Sequence, residues 1–173
     1  MPLTHLNIGE NRKVTDLSPL AGMPLTELEF VSTNISDLSP LAGMRLTKLV
    51  MWSSKVFRMD ALRGMPLVTL AASQTAIADL SPLQGAPLEY LNLENCANVT
   101  DLSPLRDAPL KELNIRNCPK LADFTPILTL AHLERLRCTV LPASLLPLRE
   151  SATLQSTLPN WKAHDAWKAG QVK

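Results

Sequence analysis

The chain has 173 residues, 46% of them hydrophobic and 19% charged, a balance that suits one globular domain and excludes disorder as a general description. Its 17 basic and 16 acidic residues leave a formal charge of +1, too weak a field to make nucleic acid or an anionic membrane the main partner. Fourteen prolines are many and a 4% aromatic share is small; leucine fills the space that aromatic side chains usually take.

Residues 3–8 read LTHLNI, an alternation that predicts a half-buried strand. The phrase returns as LTELEF at 25–30, LTKLVM at 46–51, LVTLAA at 67–72, LEYLNL at 88–93, LKELNI at 110–115 and LERLRC at 133–138. In the second copy Leu28 and Phe30 are expected inward, and Glu27 and Glu29 outward. After each strand comes a small or polar residue and then a branched or leucine residue: Thr33 and Ile35, Ser54 and Val56, Thr75 and Ile77, Cys96 and Val99, Cys118 and Leu121. The return half carries DLSPL from Asp16, Asp37, Asp79 and Asp101, with worn versions RMDAL from Arg58 and DFTPI from Asp123. Proline has no N–H to give a central strand, so this half reads as a short capped turn of 3₁₀ type, with Leu17 and Leu20 inward. Gly22, Gly43, Gly64 and Gly85 follow one another at 21 residues, with Asp107 after 22, and these glycines are expected at positive φ.

The copies match the leucine-rich repeat pattern L-x-x-L-x-L-x-x-N/C-x-L. The expected fold is an α/β solenoid, with a parallel β-sheet on the concave face and short 3₁₀ or irregular turns on the convex face. The array covers residues 1–138 in about seven coils. Residues 139–173 are expected to form a C-terminal helical cap and tail, in which PASLLPLRESATLQ reads as an amphipathic helix and Trp161 and Trp167 cover the last coil. Met1 aligns with Met23, so the first coil is expected to be truncated, with a domain or subunit covering its uncapped end.

These motifs resemble the short-repeat bacterial leucine-rich proteins, including the internalin-like subclass with its D-(L/I)-S-P-L convex segment. They are also similar to arrays of TxVxDLSPLxGMPLxxL in planctomycete-type bacteria, often attached to serine/threonine protein kinase domains. The resemblance implies a closing segment built on Leu148, Arg149 and Leu154, followed by Trp161 or Trp167. It carries over no catalytic residue: there is no Gly-rich loop, HRD or DFG motif, so an attached kinase would lie outside this sequence.

The outward strand positions form three columns, and solenoid curvature makes them the expected partner surface. Trp52 with Val31 and Val50 forms an apolar spot, with Ala71, Ala72 and Ser73 leaving a shallow dip beside it. Tyr90 and Lys48 lie in the same columns. Charge is polarised, with Glu10, Glu27 and Glu29 toward the first coils and Arg116, Arg135 and Arg137 toward the last. The competing expectation is that Trp52 folds over a degenerate third coil, with Phe57 repacked beside it. Cys96 and Cys118 share a column that satisfies buried backbone groups, while Cys138 is expected in the core. His5, His132 and His164 are scattered, so neither a metal site nor a Cys–His nucleophile is expected. The recurrent Ser18, Ser39, Ser81 and Ser103 belong to the turns. No cofactor is implied.

Two functions are carried forward. One is a non-catalytic module that binds a protein or peptide on its concave face, as a fragment or accessory domain of a larger bacterial protein. The other is a structural spacer or packing wall for an adjoining domain such as a kinase. An enzyme is disfavoured, because no nucleophile–base pair or phosphate loop appears. No apolar run reaches the length of a membrane span, and no secretory signal is visible at the start. Three cysteines do not make a disulfide framework and lean toward a reducing, cytoplasmic setting.

Overall fold

The computed structural model describes residues 2–139. Each copy of the strand phrase becomes one short strand: β1 His5–Asn7, β2 Glu27–Glu29, β3 Lys48–Val50, β4 Thr69–Ala71, β5 Tyr90–Asn92, β6 Glu112–Asn114 and β7 Arg135–Arg137. The seven pair in parallel in sequence order. Equivalent repeat positions stand opposite one another, so Leu28 pairs with Leu49 and Leu49 with Leu70. The repeat thereby sets the register: a one-residue slip would turn every leucine outward.

Alternation decides what lies inside. Leu28, Leu49, Leu70 and Leu91 are completely buried, as are Phe30, Met51, Ala72 and Leu93 two positions on. The convex half adds Ile35, Val56, Ile77 and Val99, then Leu38, Met59, Leu80 and Leu102. Each coil alone has too little core to fold; the cluster becomes continuous only by stacking. At roughly 2 kcal/mol per buried leucine, this stacking is the main stabilising term.

The DLSPL segments form the 3₁₀ turns Ser18–Leu20, Ser39–Leu41, Ser81–Leu83 and Ser103–Leu105. Their aspartates work alike. The carboxylate of Asp37 accepts the Ser39 backbone N–H at 2.8 Å and the Ser39 hydroxyl at 2.7 Å, folding the chain back ahead of the proline. Asp123 accepts the Thr125 N–H in the same way before the turn Thr125–Thr129. These bonds hold the carboxyls of Asp16, Asp37 and Asp123 below the ordinary range, the serine hydroxyl contributing most at the first two and the Thr125 N–H at the third. The third coil keeps its turn, Asp60–Leu62, without the motif: Arg58 Nε donates to Asp60 at 2.9 Å instead. Gly43 returns the chain toward the next strand at φ 76°, with open space where a Cβ would stand.

Coil length and the polar core column vary together. From the inward strand residue to the next branched one there are five steps at Phe30–Ile35, Met51–Val56 and Ala72–Ile77, and six at Leu93–Val99 and Ile115–Leu121. The shorter coils carry Thr or Ser, and the hydroxyls of Thr33 and Thr75 donate to the carbonyls of Phe30 and Ala72 in their own coil, at 2.9 and 2.6 Å. Of the longer coils, the first carries Asn11 between Ile8 and Val14, and the two later ones carry Cys. There the backbone N–H of Cys96 reaches its own coil's Leu93 carbonyl, and its thiol turns back to the Ala72 carbonyl of the previous coil at 3.2 Å. Cys118 reaches the Leu93 carbonyl similarly, at 3.3 Å. A thiol thus does between coils what a hydroxyl does within one.

Candidate binding face

Three columns of side chains leave the sheet on the side opposite the core: the first and third residue of each strand, and the residue two positions beyond. All ten residues expected to bind a partner fall in these columns. The first holds Glu27, Lys48, Tyr90 and Arg135; the second Glu29, Val50 and Arg137; the third Val31, Trp52 and Arg116.

Trp52 is 37% exposed, and Val31 and Val50 are half-buried beside it in the pairing order. The third coil beneath is fully packed: Met51 and Val56 are 0% exposed, and Met59 and Leu62 1%. Phe57, expected to repack beside Trp52, stands out on the convex side instead, at 56% exposure. Of the three small residues expected beside the tryptophan, Ala71 and Ser73 take outward positions, but Ala72 is completely buried, because it takes the inward position that Phe30, Met51 and Leu93 take in their coils.

The charge polarity is largely neutralised between coils. Lys48 Nζ donates to Glu29 at 2.6 Å and lies 3.6 Å from Glu27, whose other oxygen is 3.0 Å from His5 Nε2. The Glu29 hydrogen bond is the main cause that raises the Lys48 ammonium above its ordinary pKa. At the other end Arg135 pairs with Glu112. Arg116 and Arg137 have no ion-pair partner among the described residues, so they carry the residual positive charge of this end. Tyr90, Asn92, Glu94, Asn114, Arg135 and Arg137 line a shallow polar cleft of about 110 Å³.

The asparagines of the middle column were not singled out in the sequence, and they are structural. Asn7, Asn92 and Asn114 each accept the backbone N–H two residues on, at 2.9, 3.0 and 3.2 Å, closing the turn that ends the strand. Asn114 also donates to Glu94 at 2.9 Å, which fixes that carboxylate in the cleft. Their spacing before Gly9, Glu94 and Arg116 was the available signal.

The three cysteines are free thiols. Cys96 is buried as its column demands, and Cys138 is partly buried against the core. Burial raises the Cys96 thiol and pushes Cys118 and Cys138 up to about 11. Protonated thiols are poor nucleophiles and poor metal ligands. His132 is exposed, and no group of three His, Cys, Asp or Glu suited to a metal occurs among the described residues. The expected C-terminal cap, with Leu148, Arg149, Leu154, Trp161, His164 and Trp167, lies outside the described residues.

Continuous parallel pairing, inward leucines in register and 3₁₀ turns on the far side leave one description of this backbone. The chain has the leucine-rich repeat solenoid fold. No protein-family model matches it, and no curated protein matches it in sequence. Among solved structures it is similar to an internalin, InlF, from Listeria monocytogenes: TM-score 0.75 and 28% identity over 90% of this chain and 46% of that one. Internalin C2 of the same organism aligns at TM-score 0.64 and 27% identity, over 79% of this chain and 71% of that one. The functional domain of its InlJ, which includes a cysteine ladder, aligns at TM-score 0.56 and 30% identity, over 79% of this chain and 30% of that one. The leucine-rich repeat chain described here thus spans less than half the length of InlF.

Proposed function

We propose that this leucine-rich repeat chain is a non-catalytic module that holds a protein or peptide on its concave face, with Trp52 as the apolar anchor. The observation that carries the reading is the 37% exposure of Trp52 on the sheet face above a coil whose core is complete. Tryptophan is the residue type most enriched at binding hot spots. Val31 and Val50 widen the apolar spot, Tyr90 continues the face, and Glu27, Glu29 and Lys48 form a polar rim on one side of it. Arg116, Arg135 and Arg137 give the far end affinity for carboxylates. Likeness to internalins supports an interaction module in general. The perturbed titrating groups among the described residues cap turns, pair across coils or sit buried as thiols.

A second reading, a packing wall for an adjoining domain such as a kinase, draws on the first coil. Leu3 is 48% exposed there, and Leu6 and Ile8 are only partly buried. The two readings separate in an affinity capture from a lysate of the source organism, using wild type and a Trp52→Ala/Arg137→Glu variant shown to be folded by circular dichroism. A protein retained by wild type and lost by the variant is the expected result. Identical capture by both would remove the concave face from the account.

A further inference from the structure

The convex face holds a feature that neither the fold nor the concave site uses. Between the second and third coils runs an open groove of about 550 Å³, with Leu38, Ala42, Phe57 and Ala61 as its apolar lining and Asp37 and Arg58 at its polar edge. Phe57 occupies a column that elsewhere reads Thr15, Ser36, Ala78, Thr100 and Ala122. Arg58 occupies the next column, which elsewhere reads Asp16, Asp37, Asp79, Asp101 and Asp123. Only in the third coil does a large exposed ring replace a small residue, and only there does a cation interrupt the aspartate row. The turn and core of that coil are intact, so these departures are not repairs of the fold.

An exposed aromatic ring beside a carboxylate is suited to a guanidinium group, which stacks on the ring and pairs with the acid. The groove carries that group on its own edge. Arg58 uses Nε on Asp60, and its terminal nitrogens have no carboxylate among the described residues; Asp37 has no cation there either. We propose that this groove is the face through which two copies of the chain associate, around a two-fold axis lying between the second and third coils. A two-fold interface is built from one patch facing itself. This axis sets Arg58 opposite the second copy's Asp37, and Asp37 opposite its Arg58. It also sets each Phe57 against the second copy's small Ser36. One coil further out, Asp16 faces the second copy's Asp79, a repulsion that keeps the association weak and gives it a signature of its own.

The test is sedimentation velocity of the intact chain across a concentration series at low and physiological salt. The expected result is a rise from monomer to dimer. Phe57→Ser and Arg58→Asp restore residue types that the other coils already tolerate, and each is expected to weaken the dimer on the order of tenfold. Asp79→Asn keeps an acceptor for the Ser81 turn and removes the facing charge, so it is expected to tighten the dimer a few-fold. Non-specific sticking would not respond in that direction. Wild type remaining monomeric throughout would overturn the proposal, whether or not Phe57 proved to hold a different protein. Dimerisation of both weakening variants with the wild-type constant would overturn it equally, by placing the interface elsewhere.

Discussion

Thr75 and Ser54 occupy the same column one coil apart, yet they differ in what they do. The Thr75 hydroxyl donates to the Ala72 carbonyl, whereas the buried Ser54 hydroxyl has no partner. Thr75→Val is therefore expected to cost about 1 kcal/mol, and Ser54→Ala to be neutral or slightly stabilising, by urea denaturation. Equal losses would mean that the column is maintained by packing alone. Gly43 allows a cleaner measure of backbone strain. A Cβ there meets nothing within 4 Å, so Gly43→Ala should lose about 1–2 kcal/mol purely from holding alanine at φ 76°. The strand alternation, the turn aspartates and these glycines were all legible in the sequence. The pairing of short coils with hydroxyls and of the two later long coils with thiols was also written there, as five against six residues between inward positions. It acquires meaning only once the carbonyls have places. Ala72 shows the opposite limit. As a small residue it reads as part of a surface dip, and only its even position along the strand sends it into the core.

The convex turns respond to pH as elements. Hydrogen bonds lower the carboxyl pKa of Asp16, Asp37 and Asp123 in the folded chain below the 3.8 of the free side chain. A group depressed on folding contributes stability above its unfolded pKa, and that contribution is lost as pH falls through the folded value. The melting temperature should therefore decline as pH drops below about 4, and a triple Asp→Asn variant at these positions should show a shallower decline. An unchanged acid slope would place the acid sensitivity elsewhere. The Lys48 pairs with Glu27 and Glu29 were beyond the sequence reading. It found the acidic and basic ends, but side chains from neighbouring coils meet across the register and cancel much of the difference.

Across the whole molecule, stability should depend on position along the array, because each coil contacts only its neighbours. Leu70 is completely buried between β3 and β5, whereas Leu6 in β1 is only partly buried. Leu70→Ala is expected to cost about 3–4 kcal/mol by equilibrium unfolding and Leu6→Ala about half as much; equal costs would contradict a one-dimensional array. The same architecture explains why the fold could be read from the sequence while its use could not. Repetition reveals what every coil needs. A binding surface consists of what single coils do differently, as Trp52 and Phe57 do on opposite faces of the third.

The most direct measurement is site-specific photo-crosslinking on the captured complex, with a benzophenone side chain at position 52 on the concave face and, separately, at position 39 on the convex face. The account predicts that the captured partner crosslinks from position 52, while position 39, which lines the Phe57 groove, crosslinks only a second copy of this chain. Crosslinking of the captured partner from position 39 alone, or from neither position while the complex still forms, would contradict a concave binding face.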